Sequence, residues 1–254
     1  MQKQRQIYLI KKLLEENPNY RNLKIPNSEN EQKLILRALF NVRLPKEISP
    51  EFKLIQDQYL KIENSNKGIV DDDFKDGISI WQGDITRLKV DAIVNAANSK
   101  MTGCYIPNHN CIDNAIHTYA GIELRNECAK LIRAQGHSEP TGQAKLTSAF
   151  NLPSKYVIHT VGPVVEGQLS TEKVRQLASC YKNCLQLADK NKVESIAFPC
   201  ISTGVFHFPN QLAAEIAVKT VKSFLKEKSN IKKVIFNVFK NQDKAIYEQI
   251  LKYD

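Results

Sequence analysis

A chain of 254 residues, 42% apolar and 25% charged, holds one large domain or one domain with an appendage and is not compositionally disordered. No run approaches the roughly 18 consecutive apolar residues of a membrane span, and the N-terminal MQKQRQIYLIKKLLEEN lacks an export signal's apolar core and cleavage site, so a soluble, cytoplasmic protein is expected. The net charge of +9 divides as 13 basic against 11 acidic side chains in 1–73 and 23 against 16 thereafter, an excess that suits a phosphate-bearing ligand, nucleic acid or mere solubility; no basic run is interleaved with aromatics, which leaves nucleic acid the weakest of these readings.

The first 73 residues read as helical. Tyr8, Leu9, Leu13 and Leu14 share one stripe, as do Leu34, Leu36, Leu39 and Phe40, with NPN and SEN between them as a turn and an N-cap. Phe52, Ile55, Tyr59 and Ile62 repeat the spacing. The polar, aperiodic ENSNKGIVDDDFKDG that follows reads as a linker or exposed connection. The expected division is therefore a helical extension over 1–73 and a second domain over 74–254.

After Gly77 short apolar runs alternate with amphipathic ones. Strands are expected at 78–81, 91–96, 144–150, 155–161, 195–199 and 233–239, and helices near 112–134, 171–190, 210–227 and 241–252. Strands and helices interleaved in this way predict a three-layer α/β fold, with a mixed central sheet covered by helices on both faces.

Five segments within this part carry chemistry. QGDIT (82–86) follows the first strand, and VDAIVNAANS (90–99) supplies a strand ending in two asparagines. CIDNAIHTYAG (111–121) opens a helix, HTVGP (159–163) ends a strand, and CISTGVFHFP (200–209) joins a strand to a helix near Pro209. In order and spacing they resemble the macrodomain family, whose members bind ADP-ribose, over about residues 77–254. The resemblance implies that the turn Ser202-Thr203-Gly204-Val205 takes the diphosphate on its backbone N–H groups, against the plainer reading of an ordinary strand-to-helix connection. It implies that Asp84 accepts from the adenine amine and that the Ile85 backbone reads the adjacent ring nitrogen. An aspartate after a strand is otherwise a turn former. Phe239 is a candidate stacking ring for adenine or a packing residue, and Phe206 flanks the distal ribose or packs. Asn98 matches the family asparagine that binds the distal ribose, while Asn95 is expected to tie down loop backbone. Asp113 matches the aspartate facing the same ribose; its alternative is a first-turn helix aspartate stabilised by the dipole. Where a second glycine is expected after the aromatic, this chain has His207.

Cys104, His109 and Cys111 form C-x4-H-x-C in a proline-containing loop. Two thiolates and an imidazole suit Zn2+, and three protein ligands leave a fourth position open, as in catalytic sites. The alternatives are a reduced cysteine pair beside a surface histidine, or a structural site completed by a distant residue. Cys128, Cys180, Cys184 and Cys200 read as small buried apolar groups. The loop resembles that of the microbial zinc-containing macrodomains, which are protein-ADP-ribose hydrolases. That likeness implies a zinc-dependent protein mono-ADP-ribosylhydrolase in which Asn98 fixes the ribose and Asp113 orients water or shares its proton, with zinc holding water or a substrate oxygen. It also implies a mono-ADP-ribosylated protein partner, of which a lipoylated glycine-cleavage-type carrier is one candidate. Two alternatives stay open: a non-catalytic ADP-ribose reader with structural zinc, and an O-acetyl-ADP-ribose deacetylase.

Overall fold

Successive residues along the central strands face opposite cores, and this alternation builds the layers. In the computed structural model, which describes residues 1–20, 22–72 and 74–253, six strands form one sheet in the order β1-β6-β5-β2-β4-β3. They are β1 (Gly77–Gln82), β2 (Ala92–Ala97), β3 (Ala144–Ser148), β4 (Tyr156–Val161), β5 (Ser195–Phe198) and β6 (Lys233–Val238). All neighbours pair in parallel except β3 with β4, so the sheet is mixed, as expected. Ala92 and Val94, Ile158, Ile196, Val234 and Phe236 face one core; Ile93, Val157, Ala197 and Ile235 face the other. The first core is closed by α6 (Thr171–Lys190), α7 (Asn210–Leu225) and α8 (Asn241–Tyr253), through Leu177, Tyr181, Val218, Val221 and Tyr247. The second is closed by α4 (Ile112–Ala120) and α5 (Ile122–Gln135), through Ile116, Leu124 and Cys128.

The single helix expected near 112–134 is two helices. Gly121 separates them with φ of 102°, a conformation that L side chains rarely adopt. Cys128, Cys180 and Cys184 are buried, and Cys200 partly so.

The N-terminal part folds as α1 (Gln2–Glu16), α2 (Glu29–Val42) and α3 (Pro50–Asn66), with Ser28 and Ser49 as side-chain N-caps for α2 and α3. Leu9, Leu13, Leu14, Leu36, Leu39, Phe40, Phe52 and Tyr59 build its core, which Ile122 of α5 completes. Two of the expected stripe residues do not join that core: Leu34 is 55% exposed and Ile62 is 37% exposed. The expected linker is also different. Glu63–Asn66 continue α3, and Val70 pairs with Leu88 in a parallel bridge, so this segment is laid against the sheet domain. Position 73, at the expected boundary, and the terminal residue 254 lie outside the described residues.

One cation ties the extension to α5. The Arg125 guanidinium, 4% exposed, donates to the carbonyls of Phe40, Asn41 and Arg43 at 3.0, 2.7 and 2.6 Å. These are end-of-helix carbonyls of α2, which have no partner within their own helix, and a positive charge there also complements the helix dipole. Arg125→Met keeps the bulk of the side chain and strands those acceptors. A loss of about 3 kcal/mol is expected, since each buried unsatisfied group costs about 1–3 kcal/mol; urea unfolding followed by circular dichroism measures it, and a change below about 1 kcal/mol contradicts this capping role.

Candidate functional site

In a parallel sheet the ligand crevice lies outside the carboxyl ends of the strands. The motif segments converge there: 82–86 ends β1, the end of 90–99 follows β2, 111–121 opens α4 after the loop that leaves β2, the end of 159–163 follows β4, and 200–209 follows β5; Phe239, outside these segments, follows β6. The sheet order sets the sequence of groups along the crevice, from Asp84 and Phe239 at one side, past the 200–209 turn, to Asn98 and Asp113 at the other.

Asp113 is in the first turn of α4 and is 6% exposed. Asn95 Nδ2 donates to its Oδ1 at 2.8 Å, and Asn98 Nδ2 to its Oδ2 at 3.2 Å. Burial lifts the carboxyl to about 6; the two amides and the Arg125 charge pull the other way and only limit the rise. Asn95 thus anchors Asp113 and the buried His159, whose Nδ1 lies 3.2 Å from Asn95 Nδ2. The loop backbone is instead held by Asn98, which donates to the Gly103 carbonyl at 3.0 Å and accepts from Lys100 N–H at 3.0 Å. The two asparagines therefore divide the work differently from the expectation for Asn95. An even-numbered spacing would put them on one face; three positions apart, Asn95 points into the second core and Asn98 lies past the strand end.

Cys104, His109 and Cys111 are half-buried, and their ligand atoms all lie within 4.8 Å of one another. Cys104 Sγ and His109 Nδ1 are 3.5 Å apart, the separation of about 3.5 Å that two ligands have around a tetrahedral ion at 2.0–2.3 Å. Burial pushes the Cys111 thiol up to about 12, so a cation at this place is what would stabilise it as a thiolate. By donor type and spacing the three residues fit zinc. The loop that carries them is held from outside. Arg37 of α2 donates to the His109 carbonyl at 3.0 Å and to Asn114 Oδ1 at 2.9 Å, Asn41 accepts from Asn108 N–H at 2.9 Å, and Asn114 Nδ2 donates to the Ile106 carbonyl at 3.0 Å. Gly103, at φ of 81°, lets the loop pass close to His117: a Cβ there would lie 2.8 Å from the imidazole.

His117 does not join the trio of Cys104, His109 and Cys111. With Cys128 and His159 it forms a second group of mutually close ligand-type atoms, buried behind Asp113. Its Nε2 lies 3.5 Å from Asp113 Oδ1. Burial, then His159 and the Arg125 charge, hold His117 well below the ordinary histidine value, and burial lowers His159 to about 3. Both rings are neutral at physiological pH.

The 200–209 turn is strained at positions other than its glycine. Ser202 and His207 have φ of 66° and 55°, whereas Gly204 is not among the positive-φ residues. His207 therefore occupies, as a non-glycine, the left-handed conformation that explains why glycine is expected there. Ser202 is 6% exposed and its hydroxyl has no hydrogen-bond partner among the described residues, while Thr203, half-buried, donates its Oγ1 to the Cys200 carbonyl at 3.0 Å. Gly204 and Val205 are exposed, and Phe206, half-buried, accepts from Val165 N–H at 2.9 Å through its carbonyl.

At the far side, Asp84 caps the 3-10 turn Ile85–Arg87, accepting from Thr86 N–H at 3.0 Å and Thr86 Oγ1 at 2.6 Å. Ile85 buries its side chain in the second core, leaving only backbone for recognition. Phe239 is 75% exposed, which excludes the packing alternative, and its carbonyl accepts from Gln82 Nε2 at 3.2 Å. Sequence reasoning missed Arg37, Asn41, Lys67, Arg125 and His159; each acts across more than 60 residues of chain or from a segment without motif.

A family model described as the Macro domain matches residues 94–217. A protein-ADP-ribose hydrolase of Treponema medium is 54% identical over 98% of this chain and 99% of its own length. One of Staphylococcus aureus is 47% identical over 97% of this chain and 95% of its own. Among solved structures, the Oceanobacillus iheyensis macrodomain with ADP superposes with a TM-score of 0.63 at 41% identity, covering 68% of this chain and 89% of that one. The Trypanosoma brucei macrodomain in complex with ADP-ribose gives 0.66 at 29% identity, covering 89% of this chain and 97% of that one. Motifs, strand order and likeness along nearly the whole sequence agree: this chain belongs to the macrodomain family.

Proposed function

We propose that this protein is a zinc-dependent hydrolase that removes single ADP-ribose units from modified proteins. The observation that carries the reading is the Asn98 amide, which joins the loop of Cys104, His109 and Cys111 to the buried carboxylate of Asp113. The names of the full-length relatives, protein-ADP-ribose hydrolase, support the same reaction class.

ADP-ribose lies along the crevice with adenine between Phe239 and the Asp84 turn, the diphosphate over the exposed backbone of Gly204 and Val205, and the distal ribose toward Asn98. Phe206 and the strained His207 border that ribose. The bond that breaks joins the ribose anomeric carbon to an oxygen of the modified carboxylate; a water oxygen takes its place, and the protein carboxylate leaves with the bonding electrons. Asp113 orients the water and takes its proton, each carboxylate oxygen being fixed by one asparagine amide. Cys104, His109 and Cys111 would hold the zinc, which when bound would supply Lewis acidity and positive charge at this end of the crevice. Arg37 and Asn41 keep the metal loop in one shape while substrate enters and leaves. The metal-loop resemblance favours a lipoylated carrier protein as the modified substrate.

The decisive assay follows release of ADP-ribose from a protein carrying one unit on a carboxylate. Metal analysis should give one zinc per chain, absent in Cys104→Ser. Chelation should abolish turnover while leaving ADP-ribose binding in place. Full turnover after verified metal loss refutes the zinc role, and binding without turnover in the metal-loaded protein refutes the enzymatic one. Asp113→Ala should lower kcat by about 10²–10⁴-fold, the usual contribution of a positioned acid or base, with much less effect on ADP-ribose affinity. Equal losses in both assign Asp113 to binding alone. Phe239→Ala should weaken ADP-ribose by about 5- to 100-fold, the range for loss of one base-stacking ring. Isothermal titration measures this, and an unchanged Kd removes Phe239 from the adenine subsite.

A further inference from the structure

Lys67 belongs to none of the motifs that mark the crevice, yet its ammonium is built into the adenine-side turn. It is the C-cap residue of α3, so the extension delivers it. Its Nζ lies 2.6 Å from Asp84 Oδ2, donates to Thr86 Oγ1 at 2.5 Å, and sits 3.4 Å from the centroid of the Tyr119 ring. The backbone beside it is equally fixed: Arg87 Nε donates to the Gly68 carbonyl at 2.7 Å, and Val70 N–H to the Arg87 carbonyl at 2.8 Å. This is not a surface pair of two mobile side chains, because Lys67 is 20% and Asp84 32% exposed.

The hydrogen-bond inventory of Asp84 gives this contact a consequence for the ligand. An ionised carboxylate accepts at about four lone-pair sites. Thr86 N–H and Thr86 Oγ1 both bond Oδ1, and Lys67 bonds Oδ2. What remains is accepting capacity only, on a carboxylate that cannot rotate without breaking three contacts. A group of that kind takes an N–H donor and repels a carbonyl oxygen. Without Lys67, Oδ2 loses its anchor and the half-buried charge its partner. The carboxyl then becomes free to turn or to take up a proton, and a protonated carboxyl offers a donor as well.

We infer that Lys67 is a specificity-determining residue for the purine, holding Asp84 as an acceptor-only group that selects a base with an exocyclic amine over one with an oxo group in its place. This rests on the ADP-ribose reading above and gives the extension a share in ligand recognition. A merely structural role, docking α3 on the turn, would affect stability and leave base preference untouched.

The test compares ADP-ribose with its hypoxanthine counterpart, in which oxo replaces the amine and the adjacent ring nitrogen gains a proton, a difference common to wild type and every Lys67 variant, by isothermal titration on the full-length protein. Wild type should prefer ADP-ribose by about tenfold or more, the value of one hydrogen bond to a charged group. Lys67→Met and Lys67→Gln should erase most of that preference, and Lys67→Arg should restore most of it. The ratio of two affinities on one preparation is independent of the fraction folded, so partial loss of stability does not obscure it. Methionine and glutamine variants that keep the wild-type ratio, or a wild type that binds both nucleotides equally, overturn the inference. Failure of wild type to bind ADP-ribose at all overturns the underlying reading, a distinguishable result.

Discussion

The candidate site depends on the Asn98 side-chain amide being shared between two acceptors. One is the Gly103 carbonyl, at the start of the loop with the two cysteines and the histidine; the other is Asp113 Oδ2. Because Asn98 directly follows β2, the sheet itself sets the position of both. The hydrolysis proposed above requires its acid–base group and its electrophilic group to be placed together within a fraction of an ångström. A loop of this length, with exposed Ile106 and Pro107, has little core of its own to hold it. Its placement comes from polar contacts with rigid elements, and Asn98 is the contact that also reaches the carboxylate.

Further contacts come from the helical extension, which is why that part belongs in any account of the site. Arg37 and Asn41, one turn apart on α2, bond the backbone of His109 and Asn108. Arg125 caps the same helix and reaches the Cys104 carbonyl at 3.5 Å. The extension therefore braces the loop of Cys104, His109 and Cys111 with one helix and, through Lys67 at the end of α3, touches the Asp84 turn. Ordering such a loop costs about 1–2 kcal/mol of backbone entropy per residue. Bracing it during folding removes that cost from the binding step, which is the general advantage of preorganisation.

The layers of the fold and most strand limits were legible in the sequence because they follow from alternation within short windows. Cys104, His109 and Cys111 stood out by their spacing and donor type, whereas Asn98 and Asp113 were singled out only through the resemblance to the macrodomain family. Contacts closed by the tertiary fold were not. Arg37 meets Asn114 across 77 residues, and Arg125 meets Phe40 across 85; neither pair leaves a local trace. The stripe through Leu34 failed for a related reason, since periodicity locates a face but not its width. His207 was noticed as a departure from a pattern, but its left-handed backbone is visible only in the structure.

Cysteine and histidine gather in two trios around Asp113, and their surroundings decide what each trio can do. Cys104, His109 and Cys111 are half-buried at the crevice, next to a carboxylate. His117, Cys128 and His159 are fully enclosed, with the Arg125 charge close enough to depress His117. A second cation would have to be placed beside that guanidinium without water, which low-dielectric surroundings strongly oppose. Neutral imidazoles suit the place better and serve Asp113 by what they lack. They shield its buried side from water and bring no compensating charge, so burial is free to raise its carboxyl to about 6. A histidinium at either position would pull that carboxyl down again and make it a weaker base. The chemistry proposed for Asp113 therefore depends on keeping the second cluster uncharged as much as on the amides that hold its oxygens.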